Sequence, residues 1–341
     1  MKLAALALLT AAAMVQAQPR PQMPADQAAH HRVADYLQGW RPEHLNVKDW
    51  KPDFVVAADG SGTHRTVQAA LDALPAEVLA EAPTPRRHYV LVQPGSYREQ
   101  LCVRGKAPFT LYGDPAAPAT LIEGHYNAKP KPAGQPVSAC VGNAEATRYG
   151  TAGSASVALF GDAIQLAHLR IVNDALDGVR LGQGYPPGAG ERGGAQAVAL
   201  LLQGDRIQLQ QVELRAHQDT FYAARGPGDG LARIHVRDSL IAGDVDFIFG
   251  NATLVVEGGR IVSRAGRRAP GEGGHVLAPS TAAGERYGFL LSGVRLVAEA
   301  GLMDGSASLG RAWDQGVKPG EWRAAVSPNG QALIRDSELG P

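Results

Sequence analysis

Five stretches of the chain repeat one arrangement of apolar positions. Ile164, Leu166, Leu169 and Ile171 are spaced apolar-x-apolar-x-x-apolar-x-apolar, as are Ile207, Leu209, Val212, Leu214 and Phe289, Leu291, Val294, Leu296. Ile234, Val236, Ser239, Ile241 and Leu254, Val256, Gly259, Ile261 repeat the spacing with a small residue in third place. Alternation on both sides of a two-residue break predicts paired half-buried strands joined by a bend. The copies are unevenly spaced, so loops of variable length separate similar units. Such units bury their apolar faces only by stacking, which predicts an all-β chain wound as a parallel β-helix. A β-sandwich would show Asn-Gly hairpin turns between strands, and these are scarce. Ahead of the repeats, Thr66 precedes Val67, Ala70, Leu71 and Leu74 at helical spacing, stopped by Pro75. This predicts one short helix that caps the open end of the coil and covers its unpaired edge.

The first residues read as an address. Lys2 precedes an apolar run from Leu3 to Val15, and Val15-Gln16-Ala17 matches a small-residue cleavage site. The run is too short to span a bilayer. Residues 1–17 are therefore expected to be a signal peptide cleaved after Ala17, with the mature protein secreted to the periplasm or beyond. Residues 18–50, rich in Pro, Gln and His, are expected to form an exposed lead-in, and 51–341 a single β-helix domain.

Composition sharpens this picture at few points. Glycine supplies 41 of 341 residues, about 12% against a background near 7%, which favours a turn-rich β protein. Lys and Arg number 33 and so do Asp and Glu, which gives no electrostatic reason to expect nucleic acid or an anionic membrane as partner. Export permits a disulfide, and Cys102 with Cys140 is the sole possible pair; two buried thiols are the alternative. Two cysteines cannot build a zinc site alone, and the histidines form no H-E-x-x-H cluster, so no metal or cofactor is expected.

Candidate chemistry lies in carboxylates in apolar company. Asp246 sits within Val245-Asp246-Phe247-Ile248-Phe249, where a buried carboxylate needs a cation or several donors. Asp219 sits in His217-Gln218-Asp219-Thr220-Phe221-Tyr222, directly after an expected strand. Both follow strands one unit apart in the repeat, so they are expected to face each other at roughly 4.8 Å between coils. Paired acids in a groove can divide the work of nucleophile and proton donor. Each segment alone also reads as a structural acid or a turn cap. There is no G-x-S-x-G elbow, phosphate-binding loop or dinucleotide fingerprint.

Four blocks in order resemble the signature blocks of the pectin methylesterases: Gln196-Ala197-Val198-Ala199-Leu200, Gln218 to Tyr222, Gly243-Asp244-Val245-Asp246-Phe247-Ile248-Phe249-Gly250, and Leu309-Gly310-Arg311-Ala312-Trp313. Asp59-Gly60-Ser61-Gly62 and Gly95 to Glu99 are similar to that family's opening motifs, and Gly150 to Ser154 to its bacterial members. The resemblance spans about residues 54–340 and implies a right-handed parallel β-helix. It implies Asp246 as the nucleophile on a galacturonate methyl ester and Asp219 as the acid that protonates methanol and then activates water. Gln196 and Gln218 become oxyanion donors, and Arg311 holds Asp246 ionised and oriented. Trp313, Tyr222, Thr151, Val245 and Phe249 fall at substrate-contacting positions. The implied partner is pectin, with no cofactor, and the implied state a monomer.

Departures from the pattern are Ala312 in place of the usual Pro, Phe221 in place of a common Leu, and extra loop at Arg225 to Gly230, expected at the groove edge. Relatives also continue past the position of Pro341, so some polymer contacts are expected to be absent. Competing readings are an esterase or thioesterase on the same fold without pectin binding, a β-helical pectate lyase or polygalacturonase, and a wall-binding module. A lyase would need calcium, for which the Asp244/Asp246 pair, expected on one strand face, is the sole acidic candidate.

Overall fold

The computed structural model describes residues 20–77, 86–138, 143–228 and 230–340. The expected export segment 1–17 and Cys140 lie outside them. Cys102 is disulfide-bonded.

Among the described residues, strands form three parallel sheets of nine, seven and eight members, and the chain visits them in rotation. One coil runs through Ile207–Gln210, Glu213–Arg215 and Phe221–Ala224; the next through Arg233–Arg237, Leu240–Gly243 and Ile248–Gly250. Register is kept from coil to coil, so like stacks on like. Leu111, Leu166, Leu209, Val236, Val256 and Leu291 form one fully buried column. Leu121, Ile171, Leu214, Ile241, Ile261 and Leu296 form another. Each such side chain contributes about 1.5–3 kcal/mol by leaving water. The fold is a parallel β-helix, as the repeat spacing requires.

The two-residue bends have one physical cause. In each, the second residue takes positive φ: His168 at 53°, Gln211 at 53°, Asp238 at 49°, Gly258 at 69° and Gly293 at 66°. A left-handed residue turns the strand sharply while both flanking segments keep their inward alternation.

Helix Val67–Asp72 closes the N-terminal end, with Val67, Ala70 and Leu71 buried. Thr66 accepts from the Ala69 N–H, and the Glu99 carboxylate accepts from the Val67 and Gln68 N–H groups at 2.8 and 3.0 Å. Its free donors are thereby satisfied.

Residues 33–50 are not an exposed lead-in. Tyr36 and Leu37 are buried with Val255, Tyr287 and Leu290; Leu45 and Val47 pack on Tyr112 and Ala167. The outer face of the nine-stranded sheet carries apolar residues and amides that need cover. Gln210 exchanges two hydrogen bonds with the Leu45 backbone, and Gln165 donates to Glu43.

Candidate active site

The turns that precede two neighbouring strands of the seven-stranded sheet carry the aspartates. Phe221 pairs with Ile248 and Tyr222 with Phe249, while the Asp219 N–H donates to the Val245 carbonyl at 3.0 Å. This register sets Asp219 over Asp246 with one coil spacing, roughly 4.8 Å, between their backbones. Both residues have positive φ, 65° and 48°. The expected strand through Val245 begins only at Ile248, and residues 244–246 form a bend. Left-handed backbone at non-glycine residues persists where surroundings over-determine it, and it concentrates at functional sites.

The two acids differ in company. Arg311 donates from Nε and Nη2 to the two oxygens of Asp246, both at 2.8 Å, a bidentate pair. Asp219 has no such partner. Burial first, and the charge of Asp246 second, hold its carboxyl well above the usual carboxylate range, offset only in part by Arg311. One acid therefore faces a fixed cation, and the other is pushed toward its protonated form.

Thr151, Ala152, Gln196, Gln218, Tyr222, Phe249, Ala278, Arg311, Trp313 and Gln315 join the two aspartates in lining a groove of 390 Å³. Tyr222 and Phe249 stack at 4.4 Å, and Trp313 meets both edge-on at 6.3 and 5.7 Å. Outward positions in register (Ala158, Leu201, Tyr222, Phe249, Ala278) make this apolar floor. Thr151 stands on the short helix Gly150–Gly153 and accepts from Asn127. The buried Gln196 Oε1 has no hydrogen-bond partner among the described residues.

Nine of the ten expected catalytic and substrate-contacting residues line this groove; Val245 does not, because its side chain packs beside Gly274. The loop residues Arg225 to Gly228 and Gly230 do not line it either. Ala278 and Gln315 were not expected. Ala278 follows from the register opposite Phe249, and Gln315, two residues past Trp313, donates to the Tyr222 hydroxyl at 3.4 Å. The pair a calcium ion would need does not share a face. The bend at Asp246 breaks strand alternation, and each carboxylate is claimed by its own guanidinium, Asp244 by Arg267 and Asp246 by Arg311.

Similarity to known proteins points the same way. A pectinesterase from Ralstonia solanacearum is 33% identical over 97% of this chain and 84% of its own. Escherichia coli YbhC, named provisionally as an acyl-CoA thioester hydrolase, is 30% identical over 94% of this chain and 76% of its own. The structure of rice weevil pectin methyl esterase superposes with a TM-score of 0.75 at 27% identity, covering 94% of this chain and 85% of that one. The profile of the Pectinesterase family matches residues 53–318. With that match over most of its length and the paired-aspartate groove inside it, the chain belongs to the pectinesterase family of carboxylic ester hydrolases.

Proposed function

We propose that the protein is a secreted pectin methylesterase that hydrolyses galacturonate methyl esters to free carboxylates and methanol. The observation that carries this reading is the asymmetry of the aspartate pair at the groove floor. Asp246 is ion-paired to Arg311, while burial and the neighbouring Asp246 push the Asp219 carboxyl well above the usual carboxylate range. The names of the Ralstonia and rice weevil relatives support the substrate class, and the apolar run at Leu3 to Val15 supports export.

The proposed chemistry follows from the different surroundings of the two acids. An Asp246 oxygen attacks the ester carbonyl, and its electron pair moves to the carbonyl oxygen. The amides of Gln196 and Gln218 stabilise that oxyanion, each worth about 2.7–4 kcal/mol on the scale of a comparable donor. Collapse breaks the bond to the methoxy group, which takes the Asp219 proton and leaves as methanol. The acyl group is then joined to Asp246 as an anhydride. Asp219, now a carboxylate, accepts a proton from water as that water attacks the sugar acyl carbon. The Asp246 carboxylate is regenerated, Asp219 is protonated again, and water and ester have become acid and methanol. The aromatic floor offers flat apolar faces to sugar rings.

A second reading, thioester hydrolysis, is favoured by one finding alone, the relationship to YbhC. Methanol release from highly methylated pectin, measured beside hydrolysis of an acyl-CoA, separates the two. Pectin turnover abolished by Asp246→Asn supports the first reading. Thioester turnover without methanol release overturns it.

A further inference from the structure

Behind the aspartates runs a second column of charged residues that the mechanism leaves unused. Asp177, His217, Asp244 and Arg267 each follow a successive strand of the eight-stranded sheet: Leu169–Asn173, Glu213–Arg215, Leu240–Gly243 and Arg260–Ser263. The Asp177 carboxylate lies 3.1 Å from His217 Nε2, and His217 Nδ1 lies 2.8 Å from Asp244 Oδ2. Arg267 donates from Nε and Nη2 to both Asp244 oxygens and from Nη1 to the Tyr185 hydroxyl. Arg267 is 2% exposed and the largest fully buried side chain of the protein's described residues.

The column is in phase with the catalytic pair. His217 stands two residues before Asp219, and Asp244 two residues before Asp246. The backbone between them is fixed at three points: Asp244 N–H to the His217 carbonyl at 3.1 Å, Asp219 N–H to Val245, and Thr220 Oγ1 to the Ala242 carbonyl at 3.0 Å. Side-chain bonds at His217 and Asp244 hold the entry to each left-handed turn. Burying an ion pair this completely is seldom a net gain in stability over apolar packing, so another role needs to be sought.

We propose that Arg267 is a positioning residue: through Asp244 and His217 it fixes the turns that aim Asp219 and Asp246, and its charge cancels that of Asp244. This rests on the aspartate roles assigned above. A third carboxylate so near the pair would otherwise add its field to that of Asp246. The groups facing Asp219 are Asp246, Arg311, Asp244 and Arg267, with the Tyr222 hydroxyl nearby. Those facing the column from its other sides are Arg264, Tyr185 and Glu191. Asp244 disfavours and Arg267 favours ionisation of Asp219, so deleting only the cation pushes the Asp219 carboxyl further up.

The test is methanol release from pectin as a function of pH and substrate, on the full chain. Arg267→Met should lower kcat on the order of 10²-fold with KM unchanged, the size expected when reacting groups are displaced by about 1 Å. Its alkaline limb, set by Asp219, should move to higher pH. Asp244→Asn/Arg267→Met removes both charges, so the limb should return to the wild-type position while kcat stays low. A lower melting temperature with wild-type kcat, KM and limb would mean a purely structural column and overturn the proposal. If Arg267→Met does not fold, the double variant, which strands no charge, decides: wild-type kcat there overturns it. Asp246→Asn run alongside tells the two claims apart. Were it inactive while the Arg267 variants matched wild type, only the positioning role would fall; were it active, the aspartate roles would fall and the positioning role with them.

Discussion

Replacing Arg311 with Met tests how the structure sets two neighbouring carboxylates in different surroundings. The substitution keeps the aliphatic stem and removes two charge-assisted bonds of 2.8 Å to Asp246. Bonds of this kind contribute about 1.5–3 kcal/mol each when fully buried. Arg311 is 40% exposed and Asp246 12% as side chains, so water screens the pair and a loss of about 2 kcal/mol is the reasonable expectation. For a chain of this size that is a few degrees in Tm. The kinetic loss should be larger, because the nucleophile is left both unaimed and free to share the Asp219 proton. We expect kcat to fall roughly 10²-fold or more with KM nearly constant, since Arg311 grips Asp246 rather than sugar. Arg311→Lys returns the charge without the fork and should recover only part of the loss. Methanol release against pectin concentration, with a thermal melt, reads all three quantities. A tenfold rise in KM at unchanged kcat would refute the reasoning. The half-exposed guanidinium would then be a binding site for the carboxylates of de-esterified galacturonate.

Asp219→Asn should lose roughly 10²–10⁴-fold in turnover on methyl esters and recover on an aryl ester whose alcohol leaves unaided; equal losses on both would deny Asp219 the role of acid. Because burial and Asp246 raise the Asp219 carboxyl, wild-type activity should persist past the ordinary carboxylate range and fall as pH rises through the raised value; a limb unchanged in Asp219→Asn would assign it elsewhere. Trp313→Ala should weaken pectin turnover more than turnover of a small methyl ester, since it removes an aromatic wall and leaves both acids; equal loss on both would mean that Trp313 shapes the acids themselves. Asp244 is held down to about 2 by His217 and Arg267 against the cost of burial. As pH falls the unfolded chain takes up that proton first, so about 2 kcal/mol of stability present above pH ~4 should be lost between pH ~4 and ~2, and Asp244→Asn should flatten that part of an acid unfolding curve.

The repeat was legible because a β-helix writes its register into sequence. Leu209 and Val212 lie either side of a bend whose second residue, Gln211, turns left-handed, and the same two-residue gap marks every coil that matched. The groove was legible for the same reason: Asp219 and Asp246 precede strands that pair directly. Two features were not. Residues 33–50 carry their apolar positions outside the spacing of the repeat, and what buries Tyr36 and Leu45 is the outward face of Val255, Leu290 and Tyr112, far away in sequence. The column from Asp177 to Arg267 consists of single polar residues after four separate strands, and their contacts with one another exist only once the coils are stacked.

Stacking also leaves no room for a side chain at two glycines of the block from Gly243 to Gly250. A β-carbon on Gly243 would come within 2.2 Å of the Phe247 side chain and 2.5 Å of Thr220 Oγ1, the group that ties the Asp219 turn to the coil below. A β-carbon on Gly250, at φ 130°, would meet the Ala223 carbonyl at 1.9 Å. The contacts with Thr220 and Ala223 lie between the coil of Asp219 and the coil of Asp246. The glycines therefore act on the distance between the two acids without touching either. A parallel β-helix brings equivalent residues of adjacent coils to one spacing, and that spacing alone would give two like carboxylates sharing a proton with no preference. Chemistry needs the symmetry broken; the burial of Asp219 and the Arg311 side chain that reaches Asp246 from a later coil break it. The fold sets the acids close, and under the mechanism proposed above the choice of nucleophile rests on which of them the arginine meets.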